Sequence, residues 1–458
     1  MRAAVLIPGC PSATLEPSRP AFHALAPGSE SPAERRPTNR SLWALDWLNF
    51  SVADVQNGLG PYLAAFLEGA RGWGAGDIGI ALAASSIAGA VSQIPIGMLV
   101  DALRAKRLLV AVAGALIAAG CMIIAYLPTL PCVIGAQMVI GVASAVLPPA
   151  LAALCLGLVG RRYMPARLSR NQAFNHAGAF TAAILVGGGG RVWGYDWIFY
   201  LVCIFAAGTV ATAFGIRPGD IDHALARGGA PTVPGMARKP PLGLKEVLGY
   251  RNLVVFLGAV VLFHFGNAAM LPMAGQVLAR TRPGTDTIAL SACIVVAQLV
   301  MTGMAIAVGK ALNAGYGRKT IFLVMLAVLP VRGVLFALFT GNPYAVVAIQ
   351  LLDGVAAGIF SVISVVIAAD LMRGTGRFNL AQGLVALSVG IGAGLSNVTA
   401  GFVVQWFGYT IGFLYLAVIA VGGFVFFALS MPETAPADDP GGTVGDRRRE
   451  SASSSATT

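Results

Sequence analysis

Charge is scarce in this chain. Of its 458 residues only 11% are Asp, Glu, Lys or Arg, against 57% that are hydrophobic. A soluble domain cannot hide that much apolar surface, because a single core stops growing at roughly 250 to 300 residues. Cysteine is also sparse. Cys10 lies in a polar stretch, and Cys121, Cys132, Cys155, Cys203 and Cys293 lie in or beside apolar runs without metal-ligand spacing, so they read as small packing residues and no metal or cofactor is expected. No GxxxxGK[ST] loop is present, and no HExxH, nucleophile motif or pair of catalytic acids occurs within an apolar run, which argues against a nucleotide-driven machine and against an enzyme. Only five apolar residues follow Arg2, too few for a secretory signal. The net charge of +11 is scattered over short polar segments instead of forming one stripe, which favours lipid headgroups over nucleic acid as the partner of those cations.

What is present is a series of long apolar runs, and the mean hydropathy is +0.76. A bilayer-crossing helix needs about 20 such residues. Runs of that size lie near 44–68, 78–100, 107–127, 131–159, 172–190, 196–215, 253–279, 289–309, 319–340, 343–371, 379–405 and 408–430, giving twelve spans. The expected fold class is an all-α membrane protein with two six-helix bundles, 41–216 and 252–431. A polar linker at 217–251 joins them, and tails of disordered composition at 1–40 and 432–458 flank them. Of 31 Lys and Arg, 26 fall on the side that holds both tails, which by the positive-inside rule is the cytoplasm.

The two bundles repeat one another. GMLVDALRAKR from Gly97 matches GKALNAGYGRK from Gly309 at an offset of 212, QMVIGVASA from Gln137 matches QLLDGVAAG from Gln350, and GYDWIFYL from Gly194 matches GYTIGFLYL from Gly408. DVQN from Asp54 in span one matches HFGN from His264 in span seven, each followed by a proline, Pro61 and Pro272. Six spans separate the copies, so both run in one orientation and are related by a pseudo-twofold axis along the membrane normal.

On these residues the chain resembles the major facilitator superfamily of secondary transporters over roughly 41–431. Arg104 stands where the loop signature has a mid-loop glycine, Asn313 replaces the acid in the second copy, and Gln137 takes the place of a basic residue before Gly141. Gly178 and Gly187 have the spacing of an exporter motif without its proline. RNQAFNHAG from Arg170 and ADLMRGTGRFNLAQG from Ala369 are similar to an uncharacterised bacterial subgroup. The resemblance implies a monomeric inner-membrane carrier that moves a small molecule by rocking its halves, driven by protons. It also implies a gating loop made of Gly97, Asp101, Lys106, Arg107, Gly309, Asn313 and Arg318. There Gly97 would let span two approach span eleven, and Asp101 would lock the cytoplasmic side shut. Efflux is the expected direction, with uptake as the alternative and a non-transporting membrane sensor as the alternative of another class.

Ionisable groups inside a bilayer are functional candidates because they are expensive to hold there. Asp54 lies midway along span one and His264 midway along span seven, which in such a fold would place them across the central cavity from each other. Burial penalises the charged form of both, so a change in water access could load or release a proton. The alternative is that Asp54 bonds to backbone freed by the Gly58–Gly60–Pro61 break and that His264 is a packing residue. Arg332 stands ten residues before Asn342 and Asp353 eleven after it, both roughly 15 Å from the turn at 1.5 Å per residue. A buried ion pair is expected there, with Asp353 as a further proton site the alternative. Gln56, Asn57, Gln137, Ser144, Asn267, Gln350, Ser388 and Asn397 are expected to contact a neutral, weakly cationic or amphipathic solute. Asn175 and His176 lie nearer the cytoplasmic end of span five, as members of an inner gate.

Overall fold

The computed structural model describes residues 37–434 except 58, 224, 228–243, 282, 374 and 376. The tails and most of the linker lie outside the described residues. Among the described residues, ten helical segments are long and apolar enough to cross a membrane: Ala75–Ala102, Lys106–Tyr126, Leu130–Gly160, Asp196–Gly215, Arg251–Thr281, Asp286–Asn313, Arg318–Phe339, Pro343–Leu371, Phe378–Phe407 and Tyr409–Ser430. The other two of the twelve spans have physical reasons to escape that measure. Span one is split into Asn39–Asn57 and Gly60–Gly69. Span five, 161–193, is continuous helix, but its first three turns are rich in Arg and Asn and therefore too polar to register. It starts about ten residues before the expected 172, because helix can extend past the apolar layer into the headgroup zone. Gly160, at φ 70°, makes the sharp turn between spans four and five, a backbone conformation that favours glycine.

Span seven breaks in the same manner as span one, into Arg251–Asn267 and Met270–Thr281. Each break is placed by its proline. A proline ring clashes with the carbonyl four residues earlier, and four residues before Pro61 and Pro272 stand Asn57 and Ala268, at the ends of the first pieces. Broken backbone is tolerated at membrane depth where it lines a cavity.

The packing of spans follows one twofold rule. Span two lies against span eleven and span five against span eight, while the second pieces of spans one and seven meet on the axis. Exchanging the halves turns the first contact into the second. Close approaches repeat as well. A Cβ on Gly141 would stand 2.1 Å from the Ser85 carbonyl oxygen, and one on Gly354 would stand 2.8 Å from that of Ala297. The helix-end contacts are likewise copied. Arg107 Nη1 donates to the Ile216 carbonyl at 2.5 Å, and Lys319 Nζ donates to that of Ala428 at 2.8 Å, both partners being offset by 212.

Most of the chain's cations belong to the end of the bundle where spans two and three, six and seven, and eight and nine are joined, called here the basic end. There Asp220 accepts from Thr38 N, Thr38 Oγ1 and Ser41 Oγ, tying the start of span one to the end of span six. Partial burial works against its charge, but these donors and Arg217 outweigh it and hold the carboxyl below the ordinary range.

A candidate substrate and proton site between the halves

A cavity of about 570 Å³ lies at mid-depth, where the two breaks face each other. Leu59, Gly60 and Pro61 line it from span one and Asn267, Ala268, Leu271 and Pro272 from span seven, with further walls from spans two, four and eleven. It extends toward the basic end as far as Gln93 and Ala386.

The wall from the first half carries Asp54. Its residue exposure is only 3%, and its Oδ2 has no hydrogen-bond partner. Three residues of helix separate it from the break.

The wall from the second half is arranged differently. Arg332, 1% exposed, reaches in from span nine, with Nη1 2.9 Å from Asp353 Oδ1 and also donating to Asn267 Oδ1, and Nη2 donating to Gln350 Oε1 at 2.7 Å. Asp353, 20% exposed, also accepts from Asn267 Nδ2 at 3.4 Å and Gln350 Nε2 at 3.3 Å. The guanidinium lies 5.3 Å from the Phe336 ring centroid, one turn along its own helix. Three spans thereby close a quartet in which both charges are paired. Only Arg332 Nε is left buried without a partner.

The structure sorts the expected contact residues. Asp54, Gln137, Ser144, Asn267, Asn397, Arg332 and Asp353 are on the cavity wall. Gln350 stands behind it, bonded to the ion pair, and Ser388 is buried in span eleven away from it. The side chains of Gln56 and Asn57 lie outside the described residues. His264 does not face Asp54 across the cavity, and this corrects the expectation from the repeat. Its ring is held edge-on to Phe263 and Phe360, each with centroids 4.9 Å away, and its Nδ1 contacts the Val260 carbonyl at 3.0 Å. The helix turns Asn267, three residues on, to the wall instead. Sequence reasoning passed over span two, whose Ser86, Gly89, Ala90 and Gln93 all line the cavity. Their spacing of 0, 3, 4 and 7 is one face of a helix and was the available signal.

The gating loop also differs from expectation. Gly97 and Gly309 have open space where a Cβ would stand, and Asp101 and Asn313 are exposed. Lys106, 1% exposed, folds back so that Nζ donates to the carbonyls of Val100 at 2.6 Å and Leu103 at 3.3 Å, satisfying the end of span two. Arg107 finishes span six, and Arg318 Nε donates to Asp370 Oδ2 at 3.2 Å within its own half. Lys106 and Arg107 of the signature thus terminate helices, whereas Arg318 forms an ion pair. Spans two and eleven meet closely at the other end. A Cβ on Gly79 would lie 2.3 Å from the Asn397 carbonyl oxygen, and one on Gly401 2.6 Å from that of Ala75.

Polar contacts between the halves gather at that opposite end. Glu68 pairs with Arg280, Tyr195 donates to Asp286, and Gly76 N donates to Gln405 Oε1 at 3.1 Å. Tyr62 and Ser291 are bonded at 2.6 Å beneath them. His176 Nδ1 meets Gln298 Oε1 at 3.0 Å midway along spans five and eight, while Asn175 Nδ2 donates to the Asn49 carbonyl at 3.3 Å inside the first half. Nearer the basic end the buried Asp46 is held by Arg167 at 2.6 Å and Arg170 at 2.8 Å, binding span one to span five.

A family model described as the Major Facilitator Superfamily matches residues 46–329 and 294–455. The chain belongs to this superfamily. Uncharacterized MFS-type transporters of Mycobacterium tuberculosis strains CDC 1551 and H37Rv are each 43% identical to it over 395 residues, covering 86% of this chain and 94% of theirs. Among solved structures, the nucleoside transporter NupG superposes with a TM-score of 0.69 at 15% identity, covering 85% of this chain and 98% of its own. A peptide transporter, POT, in complex with alafosfalin superposes with a TM-score of 0.67 at 14% identity, covering 86% and 94%. At such identities the likeness shows the fold alone. The superfamily member described here is thus a multi-pass membrane protein of twelve helices and a secondary transporter of a small molecule.

Proposed function

We propose that the chain exports a small organic solute from the bacterial cytoplasm in exchange for protons, with Asp54 as the group that carries both in turn. The observation behind this reading is the solitary state of that carboxylate. It is buried in the cavity wall with Oδ2 unpartnered, while the charges opposite are already paired with each other. A desolvated carboxylate without a fixed counter-charge has to be balanced by something mobile. A proton and a weakly cationic solute compete for that role, and competition for one group is what makes exchange obligatory. The distribution of cations supports placing the basic end in the cytoplasm. A solute entering from there loads onto ionised Asp54; once the halves have rocked, a proton from the other side displaces it.

The seam at the opposite end supports the order of these events. The Glu68–Arg280 pair, the Tyr195–Asp286 bond and the Gly79–Asn397 approach close that mouth, while Gly97 and Gly309 of the gating loops have open space beside them. Everted membrane vesicles carrying the chain, acidified inside and loaded with a pH-sensitive dye, test the proposal. A panel of small organic solutes added outside should include members that dissipate the pH difference, and the effect should vanish in Asp54→Asn. If no member acts on wild-type vesicles more than on the variant, the proposal is wrong.

A further inference from the structure

The lining of the cavity narrows the solute further. Among its described residues there is no aromatic ring. Apart from Asp54 and the Arg332–Asp353 pair, the wall consists of serines, side-chain amides, one cysteine and aliphatic or small residues, with Leu59, Leu82, Ile117, Ile140 and Leu271 as its larger apolar members.

Each class of ligand meets this wall differently. A flat heterocycle finds nothing to stack upon. A quaternary ammonium ion is recognised by the faces of aromatic rings, and none is offered. An anion meets the unpartnered Asp54, and the one guanidinium among the described lining residues already spends both Nη groups on Asn267, Asp353 and Gln350. A protonated primary or secondary amine is the complementary case. Its N–H groups can donate charge-assisted bonds to a carboxylate, and Asp54 Oδ2 is a buried acceptor with none.

We propose that the cavity binds an aliphatic primary or secondary ammonium ion, its N–H directed at Asp54 and its hydrocarbon body against the aliphatic residues of spans two, three, four and six. This rests on the reading of Asp54 as the exchangeable carboxylate. Recognition here depends on the hydrogens of the ammonium group and not on its charge alone.

A matched series separates these features. Titration calorimetry on the purified full chain in detergent at pH 8 compares hexylammonium, hexyltrimethylammonium, hexan-1-ol and adenosine. Hexylammonium should bind at least tenfold more tightly than hexyltrimethylammonium or hexan-1-ol, with adenosine no tighter than the alcohol. The preference should disappear in Asp54→Asn. Equal or tighter binding of the trimethyl compound or of adenosine overturns the proposal, as does an unchanged preference in a folded Asp54→Asn. The wild-type series decides alone should the variant not fold. Equilibrium binding involves no gradient, so the two readings fail separately. A chain that prefers hexylammonium yet moves no protons in vesicles refutes exchange, whereas one that couples protons to another solute and ignores hexylammonium refutes only the amine.

Discussion

Spans one and seven break at corresponding prolines, and three residues before the end of each first piece stand Asp54 and His264. From there the two walls part company. In the first half the ionisable group lines the cavity and keeps a buried oxygen without a partner. In the second the equivalent position is packed among phenylalanines, and a salt bridge brought from spans nine and ten takes over the wall. The halves remain alike where a helix end needs a donor, as at Arg107 and Lys319, and differ where the cavity needs chemistry. Under the exchange proposed above, one wall holds its charge permanently and the other has its charge neutralised by whatever arrives. Stability and turnover should therefore be separable by mutation.

The largest effect is expected on the permanent wall. Arg332→Gln leaves Asp353 without its counter-charge and should cost about 3 to 5 kcal/mol, read as a large drop in the unfolding midpoint in detergent. Replacing both partners with apolar residues, Arg332→Met with Asp353→Leu, should recover most of that loss, since a buried pair gives little net stability.

Asp54→Asn should do the reverse. Proton-coupled transport should fall at least about tenfold, which corresponds to roughly 1.4 kcal/mol, while the unfolding midpoint stays level or rises because a lone buried charge has been removed. A matching fall in stability would mean that both walls are structural and would remove the contrast.

At the opposite end, Glu68→Gln weakens the pair that spans the seam. Arg280 is half exposed, so the pair is worth only on the order of 1 kcal/mol. Alkylation of a cysteine placed at Ser291, beneath the seam, should rise about fivefold in a background whose native cysteines have been replaced. Arg107→Gln and Lys319→Gln test the likeness of the halves directly. Each removes one donor from a helix-end carbonyl and should cost about 1 kcal/mol, the two values agreeing with one another. His264→Phe should change least. The ring it replaces is already in an aromatic setting, and the pH profile of transport should be unaltered, whereas a shifted profile would return His264 to the proton path.

Much of the architecture was legible because the signals are local. An apolar run of about 20 residues requires no knowledge of its neighbours, and the offset between Gly97 and Gly309 can be read by aligning the chain with itself. The prolines that break spans one and seven act on a carbonyl four residues away, so their effect too lies within reach of sequence. The side chains around the cavity are another matter. Whether His264 or Asn267 meets the cavity depends on the rotation of one helix against Phe360 of another. Lys106 resembles a gating cation in sequence, yet its ammonium turns back onto Val100 because the last carbonyls of the preceding helix lack donors. Glu68 and Asp46 were overlooked because acids near the ends of apolar runs look like solvated termini, although both are buried and paired.

The sequence by itself determined the number of spans, their division into two like-oriented copies and the depth of Asp54, His264, Arg332 and Asp353. All three follow from hydropathy, charge and spacing along one chain. Tertiary structure alone decided which charges have partners. Arg332 found Asp353 and two amides across three helices, Glu68 found Arg280 in the other half, and the carboxylate oxygen of Asp54 was left with nothing. The physical reason is that a charge buried at mid-membrane depth is silenced or made available by groups a few ångströms away, and those groups are brought there from distant parts of the chain by helix packing.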